Sequence, residues 1–419
     1  MVFGPISQNP RRRPAACLRL AGESVPWLSQ HKYVGIWFDS TCRDIFRAHY
    51  EHKHDTAARV FWKTVMGCEL YVGRGRLPAD VSCQLYYALL DPHFTHGCDV
   101  MLDVDPQSFG RLERLNRSIL RRILGLGRRS GIAQLYSELG IYPLEVRRAQ
   151  LALRFLRYLL DLPASQLAYK ALAESDCLRR KNKSSWMGDL ALVLAQLPFP
   201  MPRLPSLARL STTVVDSLLA DLRHGAGRWI YNKVNTMVSL PLLHGRLEPL
   251  KDKPSRIIRI CRRHYLSRVP HTNHRLALTR LLCGSFFFRG LHSHPERFAQ
   301  ETLLCRRCGE APETPGHVFM QCRARETVEL RVELREMLAA RYGVRLGNTP
   351  TSRRAAEDLM RDLIFHWETV VPMARFIYGV CKTWSWFGRK LPSMASELAP
   401  ESVDELERSD GENSVGEME

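Results

Sequence analysis

The chain has 419 residues, of which 45% are hydrophobic and 25% are charged; this is the composition of a globular protein and excludes wholesale disorder. Its length suits two or three domains. Lysine and arginine outnumber aspartate and glutamate by 61 to 43, and the net charge of +18 favours a polyanionic partner, either nucleic acid or anionic lipid. No secretory signal follows Met1, and no apolar run reaches the roughly 18 residues of a membrane span. We therefore expect an intracellular protein that is neither secreted nor embedded in a membrane.

The predicted elements begin with a small β structure. Short β-prone runs at 17–20 and 32–38 predict an antiparallel hairpin or small sheet. From about Thr41 the apolar residues recur at the helical period, and four prolines between Pro198 and Pro205 predict a linker or an extended loop. The fold class is therefore mainly α, with a small N-terminal antiparallel β hairpin. The predicted helices lie at 43–69, 79–91, 106–126, 131–139, 144–161, 206–223, 254–268, 275–283, 324–342 and 353–386.

One of the predicted helices has a basic face. Arg111, Arg114, Arg117 and Arg121 are spaced three, three and four residues apart, so they share one side of the helix. Glu113 is the only acidic residue in this segment. We interpret the arginines as phosphate contacts, with an ordinary solvated surface helix as the alternative. A separate apolar stripe is predicted to face a core; it consists of Phe109, Leu112, Leu115, Ile119 and Ile123.

A second basic stretch runs from Lys251 to Arg280, where nine lysines and arginines stand against Asp252 alone. A guanidinium group grips phosphate bidentately, and such clusters bind RNA or DNA with little sequence preference. An anionic membrane is the alternative, although the stretch lacks the large apolar face that membrane binding requires. The predicted phosphate contacts here are Arg256, Arg259 and Arg263. The interleaved rings that can stack on unpaired bases are His264, Tyr265, His271 and His274.

The C-terminal tail has the opposite charge. From Glu397 to Glu419 nine acidic residues stand against Arg408, which gives this segment a net charge of −8. Because the whole chain has a net charge of +18, the first 396 residues carry +26. The tail has almost no aromatic or branched aliphatic residues, which predicts disorder. It is a solvated tail or, alternatively, a segment that masks the basic body. Near the other end, the run RRRP at 11–14 is a candidate nuclear import signal.

Residues 305–322, CRRCGEAPETPGHVFMQC, contain the most specific site motif. Cys305, Cys308, His317 and Cys322 have the spacing C-x2-C-x8-H-x4-C, and in an intracellular chain cysteines fit thiols or metal ligands better than disulfides. Four N and S ligands without a carboxylate predict a closed, structural, tetrahedral Zn²⁺ site. The alternative is four unrelated residues, with the cysteines acting as small core hydrophobes. Flanking arginines are expected to favour thiolates; they are Arg306, Arg307, Arg323 and Arg325.

The histidine and the last cysteine of this motif are predicted to share a short helix. Thr314 is a suitable N-cap and Pro315 a suitable first residue, which places His317 and Cys322 on the turn that follows. Residues five apart do not share a face of an ideal α-helix. The turn must therefore loosen near Cys322, or the imidazole must bridge the difference. The neighbouring His292, His294 and Cys283 lack compact spacing and are interpreted as structural.

Together these stretches resemble non-LTR (LINE-type) retrotransposon reverse transcriptases, from residue 1 to about 390. HKYVGIWFDS at 31–40 resembles the hairpin at the end of the palm that serves as the primer grip. LCRRCGEAPETPGHVFMQC is similar to the family's terminal zinc knuckle, including its ET..H core. The stretches that look like the thumb and the C-terminal segment lie at 85–101, 112–160 and 274–293. The resemblance implies that Tyr33, Val34 and Gly35 contact the primer end, and that the Arg111 to Arg129 helix lies in the thumb.

The chain departs from the family's pattern at the catalytic centre. A reverse transcriptase needs carboxylates, including a [YF]-A-D-D box, to hold two Mg²⁺ ions, and these 419 residues contain no adjacent Asp-Asp pair. The resemblance therefore implies an incomplete fragment that binds template and primer but does not polymerise. Its cofactor would be structural Zn²⁺, with Mg²⁺ only if a palm domain elsewhere, such as that of the same polyprotein, completes the site. A domesticated, zinc-stabilised helical RNA- or DNA-binding adaptor is the alternative, and a split enzyme is a third.

From this resemblance we expect the chain to belong to a nuclear or cytoplasmic ribonucleoprotein.

The expected domain limits follow from the same resemblance. The segments are a palm remnant with the primer-grip hairpin at 1–40, a helical thumb and connection region at 41–197, a linker and basic helical region at 198–300, the CCHC zinc knuckle at 301–325, C-terminal helices at 326–395 and the acidic tail at 396–419.

Overall fold

The structure is a computed structural model that describes residues 19–25, 28–40, 44–68, 77–128, 130–246, 260–291 and 303–385. Within these residues the chain is mainly helical, with a small antiparallel β structure near its N-terminus, so the predicted fold class is confirmed. Several predictions lie outside the described residues; they concern the basic run at 11–14, Arg256, Arg259, His292, His294 and the acidic tail.

Two antiparallel strand pairs precede the helices. They are β1 (Arg19–Leu20) with β2 (Glu23–Ser24), and β3 (Gln30–Tyr33) with β4 (Ile36–Asp39). In the second pair Lys32 lies opposite Trp37, and Tyr33 lies opposite Ile36. The connecting residues Val34 and Gly35 have φ angles of +47° and +81°. Two positive φ angles are typical of the type I′ turn, whose twist matches that of the strands, so the predicted hairpin is confirmed.

The helices follow in chain order. They are α1 (Arg47–Phe61), α2 (Ala79–Leu85), α3 (Asp91–Thr95), α4 (Pro106–Ile123), α5 (Ala133–Leu139), α6 (Leu144–Leu160), α7 (Leu167–Arg180), α8 (Trp186–Gln196), α9 (Thr212–Thr236), α10 (His264–Arg268), α11 (Thr272–Leu282), α12 (Arg325–Tyr342), α13 (Arg353–Phe365) and α14 (Val370–Thr383). Single π-helical turns lie at Trp62–Met66, Tyr86–Leu90 and His317–Gln321, and 3₁₀ turns at Leu207–Arg209, Pro241–Leu243 and Arg289–Leu291. Among the described residues, no helix combines the length and apolar character needed to span a bilayer.

The predicted helix at 206–223 was wrong at both ends. The proline-rich segment before it is an extended loop, because Arg179 donates hydrogen bonds to the carbonyls of Leu204 (3.0 Å) and Pro205 (2.7 Å). The carboxylate of Asp176 also accepts the N–H of Leu207 (3.2 Å). Helix α9 therefore begins only at Thr212.

Two other differences from the predicted helices have local causes. The helix predicted at 353–386 is divided into α13 and α14, and the Thr369 hydroxyl donates to the carbonyl of Leu363 (2.7 Å) at the end of α13. Helices α7 and α8 were not predicted. In α7 only Leu172 and Asp176 are buried, so this helix has almost no apolar stripe for a periodic pattern to reveal.

The chain forms two compact units, each assembled from separated segments. The first unit contains Met1–Cys68, Ser82–Ile119 and Tyr142–Trp229, and the second contains Glu69–Val81, Leu120–Ile141 and Ile230–Glu419. The domain limits expected from the sequence remain a prediction.

A buried ion pair lies at the centre of the first unit. The guanidinium of Arg148, on α6, is 2.7 Å from the carboxylate of Asp103, and both side chains are less than 10% exposed. The hydroxyl of Tyr50, on α1, donates to the same carboxylate (2.6 Å), and Arg148 also donates to the carbonyl of Phe94. These bonds tie α1, α3 and α6 together.

The core of the second unit is built around α14. Helices α11, α12 and α13 pack against it, and Met373, Ile377 and Val380 are fully buried there. The π-helical turn at His317–Gln321 contacts α12 and α13, and Phe319 on this turn meets Phe376 of α14 edge to face (6.2 Å). This packing fixes the position of the cysteine and histidine motif.

Candidate metal centre and nucleic-acid interface

The first two residues of the motif lie on a tight turn between two short antiparallel segments. Leu304 and Pro312 form a β-bridge, and Cys305 donates its N–H to the carbonyl of Ala311 (2.8 Å). Gly309, with φ of +68°, donates its N–H to the carbonyl of Cys305 (2.8 Å). Since positive φ is unfavourable for other residues, this glycine suits the turn that carries Cys305 and Cys308.

The third and fourth residues lie on a helical start that the sequence predicted. The Thr314 side chain accepts the N–H of His317 (3.2 Å), and its carbonyl accepts the N–H of Val318 (2.9 Å), so Thr314 is the N-cap. The next turn is π-helical, and Cys322 donates its N–H to the carbonyl of His317 (2.7 Å). An i→i+5 hydrogen bond places residues five apart one turn above each other, so of the two alternatives the structure has the loosened turn.

The four side chains converge on one point. Their ligand atoms all lie within 4.8 Å of one another, with 3.8 Å between the sulfurs of Cys305 and Cys322 and 3.2 Å between Cys308 Sγ and His317 Nε2. A tetrahedral zinc ion with Zn–S distances of about 2.3 Å separates two sulfurs by about 3.8 Å. Cys305, His317 and Cys322 are buried and Cys308 is half-buried. This group can hold a metal ion, and its donor set is compatible with zinc.

Hydrogen-bond donors stabilise a thiolate in this group. The pKa of Cys305 is lowered to about 3, mainly by a hydrogen bond from the Cys322 thiol, and further by bonds from His317 and from the N–H groups of Arg307 and Cys308, against the effect of burial. The same hydrogen bond, together with burial, raises the pKa of Cys322. Thiolate is the form of cysteine that binds metals.

The sequence suggested that the flanking arginines stabilise the thiolate. In the structure these arginines contact other groups. Arg306 pairs with Glu313, and Arg307 donates to the carbonyl of Thr383. Arg323 lies 3.5 Å from Glu310, and Arg325 lies 2.9 Å from Glu329. The thiolate of Cys305 is therefore stabilised mainly by short-range N–H and S–H donors.

Glu313 is an important residue of this centre that the sequence reasoning did not single out. It is fully buried, and its carboxylate accepts the backbone N–H (3.1 Å) and Nε–H (2.8 Å) of Arg306 and, more weakly, the N–H of Arg289 (3.4 Å). Its backbone N–H and carbonyl bond to Leu303 and Gly290 (both 2.9 Å). Glu313 therefore joins the Cys305 turn to the segment that follows α11. The ET pair before His317 was the available signal.

The residues assigned to the primer grip lie at the tip of the β3–β4 hairpin. Tyr33 and Val34 are 66% and 76% exposed. Gly35 approaches His96 so closely that a Cβ atom at this position would lie 2.8 Å from Nε2. The hairpin tip is thus available to a partner, and a contact with a primer remains a prediction.

The basic face of α4 is only partly open. The apolar stripe from Phe109 to Ile123 is buried as predicted. Arg111 and Arg114 are exposed, with Arg111 3.9 Å from Glu51. Arg117 is paired with Glu113 (2.6 Å), and Arg121 donates to the carbonyl of Ser130 (3.1 Å). The open guanidinium groups are therefore those of Arg111 and Arg114.

In the described part of the second basic stretch Arg263 and Arg275 are buried, whereas Arg262 and Arg268 are exposed. Arg263 is 8% exposed and donates to the carbonyl of Ser137 (2.8 Å). It lies 3.9 Å from the carboxylate of Glu138, which is fully buried and also pairs with Arg246 (3.0 Å). In this arrangement the guanidinium of Arg263 holds α5 in place, so its assignment as a phosphate contact requires a different conformation.

The interleaved rings of this stretch separate into two groups. His264 and Tyr265 are buried. The rings of His271 and His274 lie 4.9 Å apart, and that of His274 lies 5.1 Å from Tyr378 on α14. Only the second group is placed where it can meet a base. Cys283 is buried, and burial raises the pKa of its thiol, in agreement with a structural role.

Comparisons of the chain with protein-family models, with curated proteins and with solved structures found no match.

Proposed function

We propose that Cys305, Cys308, His317 and Cys322 bind one structural Zn²⁺ ion. The convergence of four N and S ligand atoms within 4.8 Å supports this proposal, because a closed set of four such ligands is typical of structural zinc. Mass spectrometry of the metal content of the purified chain tests it. One zinc per chain is expected, and a chain that folds without any tightly held metal would contradict the proposal.

We further propose that the chain binds RNA and DNA as the primer-grip, thumb and zinc-knuckle portion of a non-LTR retrotransposon reverse transcriptase. The observation that supports binding is the charge of +26 on residues 1–396, together with the exposed Arg111 and Arg114 on α4. The resemblance of HKYVGIWFDS and of the cysteine and histidine motif to that family supports the choice of template and primer as the partners. The zinc ion would hold the protein in shape and take no part in chemistry.

Salt dependence tests the binding proposal. Neutralised phosphates release counterions, so affinity for a labelled primer–template duplex should fall by about 10³-fold or more between 50 and 200 mM salt if six or more phosphates are contacted. The measurement is fluorescence anisotropy over this salt range. An affinity that hardly changes would contradict the electrostatic account.

A domesticated nucleic-acid-binding adaptor is the second candidate, and one observation favours it. The β3–β4 hairpin is bonded to neighbouring segments, since Asp39 donates its N–H to the carbonyl of Ile45 (2.8 Å) and Trp37 donates its N–H to His49 Nδ1 (3.3 Å). A hairpin that needs the rest of a palm should be cleaved early by proteases, because an isolated sheet has open edges. Limited proteolysis that leaves the hairpin intact favours the adaptor, whereas primer extension on adding a palm-bearing partner favours the polymerase.

A further inference from the structure

Three aromatic side chains form a continuous row on the surface of the first unit. Phe155 and Tyr158 lie one turn apart on α6, and their rings stack with 6.1 Å between the centres and an interplanar angle of 23°. The ring of Phe155 also meets that of Trp186, the first residue of α8, edge to face at 5.8 Å. Tyr158 is 56% exposed, whereas Phe155 and Trp186 are half-buried. This aromatic row therefore runs from the junction of α6 and α8 out to the solvent.

Hydrogen bonds hold the inner end of the aromatic row in place. Helix α8 packs against α6 and α7, and it begins at the N-cap Ser185, whose hydroxyl accepts the N–H of Gly188 (3.2 Å). The indole N–H of Trp186 donates to the carbonyl of Asp99 (2.9 Å). Because this N–H is the only polar group of the indole, what the row offers to a ligand is the faces of its rings. Rings that are fixed before binding lose little conformational freedom when a ligand arrives.

Positively charged side chains flank the aromatic row at both ends. Arg154 is exposed and lies one helical turn before Tyr158, so the two side chains are neighbours on α6. Lys181 and Lys183 are exposed on the loop that leads into Trp186. Within the described ranges, none of these three cationic groups has a carboxylate at ion-pair distance. Aromatic rings between positive charges are typical of surfaces that bind single-stranded nucleic acid, where the bases stack on the rings and the cations hold the backbone.

Several carboxylates of this region are bound by other arginines. Asp161, directly after α6, lies 3.3 Å from Arg157, and the same guanidinium lies 2.9 Å from Asp216 on α9. On α7 the carboxylate of Asp176 pairs with Arg179 (2.7 Å). These pairs leave the cations that flank the aromatic row available to the phosphates of a ligand.

We propose that Tyr158, Phe155 and Trp186, together with Arg154 and Lys183, form a binding site for the unpaired bases of a single-stranded polynucleotide. The site shares no residue with the β3–β4 hairpin, with the basic face of α4 or with the metal centre. It rests on the proposed binding of RNA and DNA and deepens it, because it names the single strand as the ligand of this surface. Bases inside a duplex stack on one another and present no free face, whereas unpaired bases stack on aromatic side chains.

The first measurement compares variants of the full chain by fluorescence anisotropy with a labelled single strand and with a duplex of the same length. Tyr158→Leu should lower the affinity for the single strand by about 5- to 150-fold, the effect of losing one stacked base, and should leave the affinity for the duplex unchanged. Tyr158→Phe, which keeps the ring, should bind both ligands as the wild type does. The matched control is Tyr87→Leu, which removes another exposed tyrosine of the first unit (47%) and should change neither affinity.

The second measurement uses an abasic oligonucleotide, which keeps the phosphates and lacks the bases. It should bind the wild type more weakly than the normal strand does, and Tyr158→Leu should not weaken it further. Equal affinities of the wild type for the two strands would overturn the assignment to bases and favour a protein as the partner of the aromatic row. If the normal strand binds but Tyr158→Leu has no effect, the site is wrong and the general binding proposal survives. If no oligonucleotide binds even in dilute buffer, both proposals fail.

Discussion

Cys322 donates its backbone N–H to the carbonyl of His317, five residues earlier along the chain. This one bond makes the turn π-helical and brings an imidazole and a thiol to the same side, where the Cys305 turn supplies two more sulfurs. The packing of Phe319 and of its neighbours Val318 and Met320 into the core of the second unit holds the turn in this form. Single π-helical turns occur frequently at functional sites, and here the turn sets the geometry of the ligands.

Replacement of Cys322 by serine should therefore remove zinc from the chain. A neutral hydroxyl is a poor substitute for a thiolate ligand, and structural zinc contributes directly to folding. We expect less than 0.2 zinc per chain, against about one in the wild type, and a clearly lower midpoint of thermal unfolding. Metal analysis after gel filtration measures the first quantity and calorimetry the second.

Cys381→Ser is the matched control for this experiment. Cys381 is fully buried on α14 and does not belong to the ligand group, so a serine there buries a hydroxyl group without changing the metal site. This variant should lose some stability and keep its zinc. Equal zinc contents in the two variants would show that Cys322 is not a ligand.

Replacement of Glu313 by glutamine should weaken zinc binding, although Glu313 is not itself one of the four ligands. Glutamine keeps the shape of the side chain but leaves the Arg306 guanidinium without its counterion, and groups that orient ligands typically change metal affinity by about 10- to 100-fold. We expect zinc to pass to a chelator about 10- to 100-fold faster than from the wild type. The rate is followed by absorbance with a metal-sensitive dye.

Glu310→Gln provides the comparison for Glu313. Glu310 lies on the same loop, but its contact with Arg323 is exposed, and exposed ion pairs contribute little. Zinc release from this variant should resemble that from the wild type. Identical release rates for the two variants would show that the carboxylate of Glu313 does not position the ligands.

The sequence was sufficient to predict the metal motif because all of its parts are local. The four ligands, the Thr314 N-cap and the need for a loosened turn all lie within residues 305–322, and each follows from spacing. The hairpin turn at Val34 and Gly35 is local too, but the residue pattern predicted one β-prone run over 32–38, and a hairpin there followed only from the family resemblance. Where the geometry depends on neighbours a few residues away, the pattern contains the necessary information.

The buried contacts of several arginines could not be predicted from local sequence patterns. Arg263 was predicted to contact phosphate, and Arg148 and Arg246 entered only the total charge, yet each is buried against a carboxylate or carbonyl group 126, 45 or 108 residues away, respectively. No local pattern reveals these partners, because tertiary folding brings them together.

Replacement of Asp103 by asparagine should strongly destabilise the first unit. Arg148 would then be a buried charge without a counterion, and removal of one partner of a buried pair typically costs about 3–5 kcal/mol. Urea unfolding followed by circular dichroism measures the change in the free energy of unfolding. The double variant D103L/R148M, which removes both charges, should be more stable than D103N.

The exposed pair between Arg157 and Asp161 serves as the reference for Asp103. These side chains lie 3.3 Å apart and both are more than 40% exposed, so Asp161→Asn should change the free energy of unfolding by less than about 1 kcal/mol. If D103N and D161N reduced the free energy of unfolding by similar amounts, burial would not increase the contribution of the Arg148–Asp103 pair to stability.

The stability of the first unit should fall in acid because of His49. This histidine is 2% exposed, and it holds the hairpin through the N–H of Trp37 and the turn after α3 through the carbonyl of His96. Burial, reinforced by the charge of Lys53, lowers its pKa from 6.5 to about 3. Below pH 6.5 the unfolded chain therefore binds a proton that the folded chain does not, and the free energy of unfolding should decrease by about 1.4 kcal/mol per pH unit down to about pH 3.

His49→Gln separates this contribution from those of other titrating groups. The glutamine amide can accept from Trp37 and donate to His96, as the neutral imidazole does, but it does not bind a proton in this range. Above pH 7 the variant should lose little stability. Between pH 6.5 and 4 the free energy of unfolding of both proteins should decrease with falling pH. The slope for the variant should be smaller than the slope for the wild type by about 1.4 kcal/mol per pH unit. Urea titrations at half-unit pH intervals measure both slopes, and parallel curves would show that His49 takes up a proton as readily in the folded chain as in the unfolded one.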